Sequence, residues 1–290
     1  MVYALIALGY TMVYGILGMI NFAHGEIYMI GGYAGATFLG LWGGGLSVPI
    51  ALGLAVLFSI LVSSLHGAGL ERFAYRPLRN APALAPLISA IGMSIALQQY
   101  VFLTQGTTPK PFPQFFRQDL VAYEAGIKLF GGTLSPLQGL IIIISTLLMI
   151  GLSLFVRHSK MGKAMRATAE DRRMAGLVGI DINRVILTTF VIGSALAAVA
   201  GVMVSAYIST IFYRDGYLAG LKAFTAAVFG GIGNIPGAMV GGVLLGLIEA
   251  LGVWATGASD WKDVFSFGVL ILVLLFKPRG LLGEVVAEKV

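Results

Sequence analysis

The sequence predicts an all-α, polytopic helical membrane protein with about eight to nine membrane segments. Three observations predict it. Hydrophobic residues make up 58% of the 290 positions and charged residues only 11%, and those charges cluster. Between the clusters run long stretches without Lys, Arg, Asp or Glu: Ile27–Leu70, Asn80–Pro109, Leu129–Val156, Val185–Tyr213, Ala223–Ile248 and Val264–Phe276. A bilayer core takes roughly 20 apolar residues per helix, which a soluble core does not need in such repeated succession. The chain also holds 40 glycines, a residue commoner in membrane helices, where it lets backbones approach closely.

Two totals bound the chemistry. With no cysteine, disulfides, thiol catalysis and Cys-based metal sites are excluded. The net charge of +6 fits loop charge that orients a membrane chain better than it fits a nucleic-acid surface.

Taken in order, the apolar segments fall near 2–20, 27–42, 48–69, 83–104, 136–156, 185–211, 218–234, 237–256 and 260–277. Met1–Ile20 lacks a basic leading region and a small-residue cleavage site, so it reads as a first membrane segment and not as a signal peptide. Its abrupt apolar start leaves a missing upstream piece or a displaced start open. Two alternatives remain among the segments. The first two can be one span plus a broken element around Asn21–Glu26, and the pair around Gly230–Gly237 can be re-entrant. The whole reads as one membrane domain, 1–290.

Basic residues set the orientation. Arg157–Arg184 holds Arg157, Lys160, Lys163, Arg166, Arg172, Arg173 and Arg184; Glu71–Arg79 holds Arg72, Arg76 and Arg79; the C-terminal tail holds Lys277, Arg279 and Lys289. Alternation along the spans puts all three regions on one side, which the positive-inside rule makes cytoplasmic. The opposite side receives the 105–135 loop, the Phe212–Tyr217 turn and the Gly257–Asp263 turn, and nine spans would place the N-terminus outside. The 105–135 loop, with Pro109, Pro111 and Pro113, reads as an irregular surface connection; the sharper alternative is a docking surface for an extracytoplasmic partner.

The cytoplasmic segment 157–184 predicts a short amphipathic helix over Lys163–Leu177, which is rich in good helix formers. Gly179 is placed to stop it and Asp181 to cap the next segment. Such a helix either only sets topology or passes mechanical force from a separate ATPase. The chain has no G-x-x-x-x-G-K-[ST] phosphate loop, so ATP hydrolysis would have to occur on another polypeptide.

Two stretches break the apolar runs. Gly18–Gly32 carries Asn21, His24 and Glu26, and Gly230–Gly242 carries Asn234 and Pro236. Interruptions at matching places in two halves are the pattern of an inverted repeat around a central pathway, although the spacings here match only loosely. Broken backbone at membrane depth must be buried in protein or face water. A charge at the centre of a bilayer costs about 2.5–3.5 kcal/mol on insertion scales, so Glu26, Lys222 and Glu249 need partners, water or an interfacial position. His24 reads as a hydrogen-bonded structural residue and His66 as interfacial; three scattered histidines make no metal site. The stripes Gly31/Gly35, Gly193/Ala197/Gly201, Gly237/Gly241 and Gly242/Gly246 read as packing faces within the subunit.

Four stretches, Tyr3–Glu26, Glu71–Arg79, Met161–Gly179 and Lys222–Gly242, closely resemble the LivH-type permease of branched-chain amino acid ABC transporters, and the likeness runs over nearly the whole chain. The chain departs at the N-terminus, where family members usually have a further short stretch. The resemblance implies a bacterial inner-membrane permease without covalent chemistry, metal or cofactor. It would pair with a second, LivM-like permease and two cytoplasmic ATPase subunits, and a periplasmic binding protein would deliver leucine, isoleucine or valine. The segment Lys163–Gly179 resembles the family's coupling loop, though it departs from the E-A-A-x-x-x-G pattern of other ABC importers. On this reading Lys163, Arg166, Glu170, Arg172, Arg173 and Gly179 form the ATPase coupling site. Asn21, His24, Glu26, Lys222 and Asn234 line the pathway or its gate. A urea or short-amide permease shares these motifs. An ion-coupled secondary transporter using Glu26 and Glu249 is a rival of another class, and a purely structural membrane subunit is a third.

Overall fold

Each apolar segment read from the sequence contains a helix. The structure, a computed structural model, describes residues 1–79, 81–82, 84–113, 127–129 and 132–283. Among these, nine apolar helices run over Val2–Leu17 (α1), His24–Trp42 (α2), Val48–Gly69 (α3), Leu84–Gln105 (α4), Pro136–His158 (α5), Ile182–Ile208 (α8), Asp215–Gly230 (α9), Ile235–Thr256 (α10) and Lys262–Phe276 (α11). Between α5 and α8 lie two short polar helices, Lys160–Glu170 (α6) and Arg172–Leu177 (α7). Five helices are long and apolar enough to cross a membrane: the one starting at Val48, α4, α5, α8 and α10; α1 is apolar but shorter. The chain is an all-α, multi-pass membrane protein.

Local chemistry sets the helix ends. Ser135 and Gln138 form a reciprocal capping box at the start of α5, with Pro136 in its first turn. Asn234 caps α10 by accepting the Gly237 N–H at 2.9 Å. α3 does not stop at Gly69 but widens into a π turn over Leu70–Tyr75 and a 3-10 turn over Arg76–Leu78. The strands are brief: Lys110–Pro111 (β1) pairs antiparallel with Thr210–Ile211 (β4), and Ile127–Leu129 (β2) with Gly132–Leu134 (β3). The rest of the expected 105–135 loop, 114–126 and 130–131, lies outside the described residues, as does Lys289.

α8 and α1 form the centre. In the most apolar stretch of α8, 72% of residues are buried inside the protein, against 17–28% in α3, α4 and α5, which therefore turn most of their apolar surface outward. Small residues set the spacing. A Cβ on Gly201 would collide with the Tyr28 carbonyl and sit 2.8 Å from Gly32 N, so α2 and α8 touch backbone to backbone. α1 meets α10 in the same way, Ala4 lying against Gly242.

The three basic regions gather at one end of the bundle. Arg79 donates to Asn183 Oδ1 at 2.6 Å, and Leu282 N–H donates to the Gly230 carbonyl at 3.0 Å. Arg172 reaches the Ile16 carbonyl, and Gly15 abuts Gly233. The start of α1 lies at the other end, near Leu134, Gln138 and Tyr207.

Two expectations need correction. The single helix over Lys163–Leu177 is two helices, because Asp171 is extended (φ −153°, ψ 109°) and its carboxylate caps α7 through the N–H groups of Arg173 (2.8 Å) and Met174 (3.0 Å). The first apolar segment ends at Leu17, where Gly18 takes a left-handed turn (φ 64°). The second helix starts at His24, so Asn21 falls in the break and His24 and Glu26 fall in a helix. The expected stop at Gly179 (φ 87°) is present, with Ile180 N–H reaching the Ala175 carbonyl and Gly179 N–H the Gly176 carbonyl.

Candidate functional site

Two helices begin inside the bundle, and they begin beside each other. After the turn at Gly18 the chain folds back, and α2 starts at His24 against Gly193 of α8. Gly193 is about 16 Å along that helix at ~1.5 Å per residue. α9 starts at Asp215. A Cβ on Gly25 would lie 2.7 Å from Gly220 Cα, and one on Gly220 would lie 3.0 Å from Gly25 Cα and from the Tyr10 hydroxyl. Only glycine at these positions lets the two first turns touch.

The side chains at this junction are polar and buried. The His24 ring occupies the space opened by Gly9, where a Cβ would collide with it. It meets Tyr10 edge to face, with centroids 5.0 Å apart and planes at 78°. One ring nitrogen bonds the Ile6 backbone, while Nε2 has no hydrogen-bond partner among the described residues. Glu26 is 1% exposed. Its Oε1 accepts from Ser94 Oγ at 3.0 Å, and its Oε2 has no partner among the described residues. Ser94 and Tyr10 also face a cavity of about 550 Å³ between α1, α4 and α9, with Phe22, Gln98, Arg214 and Tyr217 in its wall.

Lys222 and Asn234, expected to share a pathway with these residues, lie away from this junction. Lys222 Nζ sits 2.7 Å from Glu249 Oε1 and 2.8 Å from Asp263 Oδ1. Tyr3 donates to Glu249 Oε2 at 2.9 Å, and Ser266 donates to Oε1. This is the partnered arrangement a membrane cation requires. Asn234 is at the basic end, where its Nδ2 donates to the Leu282 carbonyl at 2.9 Å. Asn21 is also near that end and accepts from the Tyr75 hydroxyl at 2.8 Å. The π turn carries both Tyr75 and Glu71, whose carboxylate pairs with Arg79. Among the described residues no cluster of three His, Asp or Glu could hold a metal ion.

The basic-end loop divides into outward and inward residues. Lys163, Arg166, Glu170, Arg173 and Gly179 are exposed. Arg172 turns inward: its Nε and Nη2 both donate to the Ile16 carbonyl, the former at 2.7 Å, where α1 ends with unsatisfied carbonyls. Burial pulls the Arg172 guanidinium below the usual arginine value; it does the same to Arg79, where the Glu71 carboxylate opposes the shift. The loop's tip is apolar, with Met174, Leu177 and Val178 exposed by 59%, 81% and 76%.

Sequence reasoning missed Ser94, Tyr10, Tyr75 and the Gly25–Gly216–Gly220 contact. The stretch Phe212–Tyr217 reads as an outer turn, and only Asp215-Gly216, a strong turn pair followed by helix formers, hints that α9 begins there.

An all-helical, multi-pass bundle in which two helices start beside each other and bury polar groups defines a polytopic integral membrane protein. The chain belongs to the family of branched-chain amino acid transport system permease components, whose model matches residues 1–274. It is 53% identical to the high-affinity branched-chain amino acid transport system permease protein BraD of Pseudomonas aeruginosa, over 99% of this chain and 94% of that one. It is 51% identical to the corresponding LivH protein of Escherichia coli strain K12, over 99% and 93%. It is 28% identical to the autoinducer 2 import system permease protein LsrC of Yersinia enterocolitica, over 81% and 62%. No solved structure matches the chain.

Proposed function

We propose that this chain is the translocating subunit of an ATP-driven importer of branched-chain amino acids in a bacterial inner membrane. The observation that carries the reading is identity of 51–53% to two permeases named for that transport over 99% of the chain. The subunit makes and breaks no covalent bond. Two cytoplasmic ATPases, a LivM-like second permease and a periplasmic amino-acid-binding protein complete the importer. The basic end faces the cytoplasm, in keeping with the gathering of all three basic regions there. Residues 157–184 are the cytoplasmic coupling loop, and 105–135 form the periplasmic loop.

The chain crosses the bilayer in eight or nine segments, with α2 and α9 as the interrupted helices of two inverted halves. Their first turns meet inside the bundle, a geometry that suits a pathway under alternating access. The exposed residues Lys163, Arg166, Glu170 and Arg173 meet the ATPase around the apolar tip formed by Met174, Leu177 and Val178, and Gly179 lets the chain turn back into α8. Closure of the ATPases pushes α6 and α7. Arg172 carries that push to the end of α1 and the break holding Asn21, next to His24 and Glu26. Lys222, paired with Glu249 and Asp263, and Asn234, which holds the C-terminal strand of chain at Leu282, steady α9 and α10 on either side of that movement.

Deletion of the gene should abolish high-affinity leucine uptake and leave growth on urea as nitrogen source intact. Loss of urea use with leucine uptake preserved would overturn the substrate assignment in favour of a short-amide permease. Uptake that survives ATP depletion but collapses with the ion gradient would replace ATP coupling with ion coupling.

A further inference from the structure

We propose that the cavity between α1, α4 and α9 is a binding site on the membrane subunit itself for a zwitterionic amino acid with an aliphatic side chain; this rests on the import reading above and names where the cargo pauses. The cavity, about 550 Å³, falls within the range that holds small ligands. Its wall supplies the three elements such a molecule needs. Arg214, exposed and lying over the Tyr213 ring at 5.4 Å, provides a cation for the carboxylate. Ser94 provides a hydroxyl, and one hydrogen bond behind it stands the Glu26 carboxylate, with one oxygen buried and unpartnered, as counter-charge for the ammonium. Ile91, Ile95, Leu218 and Leu221 provide an aliphatic surface. Urea carries neither charge nor aliphatic chain, so the same wall would leave both charged groups uncompensated.

A buried carboxylate without a full set of partners is costly in a membrane interior, and an ammonium bound at Ser94, one hydrogen bond from Glu26 Oε1, offsets part of that cost through its charge. The adjoining first turns of α2 and α9 hold the charges on opposite sides of one junction: Glu26 belongs to the first, Arg214 directly precedes the second, and Gly216 of the second touches Glu26. A movement that separates the two turns separates the two charges and releases the molecule.

The test uses the assembled permease–ATPase complex in lipid nanodiscs, without binding protein, and radiolabelled leucine as probe. Saturable binding is expected, displaced by isoleucine and valine and not by urea. Arg214→Gln and Glu26→Gln should each weaken it at least tenfold. Leu218→Trp, at a half-exposed position where folding is not at stake, should block it by filling the cavity. Basal ATP hydrolysis by the same preparations reports that the complex is intact. Wild-type binding in Arg214→Gln and Leu218→Trp overturns the site, as does a wild-type complex that supports leucine import in cells yet binds none in nanodiscs. A wild-type complex that imports urea and not leucine overturns instead the functional reading beneath it.

Discussion

Arg172 and Arg173 are neighbours with opposite fates. Arg173 is exposed, whereas Arg172 folds under the loop and gives two N–H groups to the Ile16 carbonyl. A hydrogen bond from a charged donor is worth about 1.5–3 kcal/mol, so Arg172→Gln should lower the thermal stability of the detergent-solubilised protein modestly. The more telling outcome is functional. The ATPases should still co-purify with the Arg172→Gln protein while leucine uptake falls several-fold, and Arg172→Lys should recover part of it. Arg173→Gln should instead weaken co-purification. Normal uptake by Arg172→Gln would remove Arg172 from the coupling route. Sequence alone could not separate these two arginines, because their types and positions are alike; what differs is that the end of α1, 156 residues away in sequence, lies beneath only one of them.

At the level of elements, helix positions were legible and helix breaks only partly so. Runs of apolar residues announce a helix, and each of the nine apolar segments read from the sequence contains one, even where that helix carries a charge such as Glu26 or Lys222. The split at Asp171 was hidden because good helix formers flank it on both sides; the aspartate there prefers to cap the following turn, and that preference wins. The start of α9 was hidden for the opposite reason: the polar residues before it look like an outer turn, and only the fold lays Gly216 and Gly220 against Gly25 of α2. The glycines of α8 were legible as a packing stripe, and Gly201 shows how tight that packing is, with the Tyr28 carbonyl in the place a Cβ would take. Gly201→Leu should therefore destabilise the protein by about 1–3 kcal/mol or more through overpacking, read as a lowered melting temperature in detergent. An unchanged melting temperature would mean that α2 and α8 are not in backbone contact.

For the whole molecule, charge patterning located the basic end without any knowledge of the fold, and contacts such as Arg79 with Asn183 bring those regions together. His24 and Glu26 were read together, but the pairing of Glu26 with Ser94 was beyond reach, since Ser94 is one serine in an apolar run, 68 residues from its partner. The sidedness can be read directly. The chain has no cysteine, so single cysteines introduce no background. A membrane-impermeant maleimide should label Ser259→Cys in intact spheroplasts and should reach Glu170→Cys only after permeabilisation. The reverse pattern would invert the topology.

α1 is clasped at both ends. Arg172 holds the carbonyl of Ile16 at one, and Glu249 holds the hydroxyl of Tyr3 at the other, with 2.9 Å between the oxygens. A helix of this length behaves as a stiff rod of about 24 Å. A pull delivered beneath the loop therefore cannot be absorbed locally. Either the acidic cluster around Tyr3 shifts in step with it, or the Tyr3 grip opens, so one short rod would carry a displacement from one end of the bundle to the other.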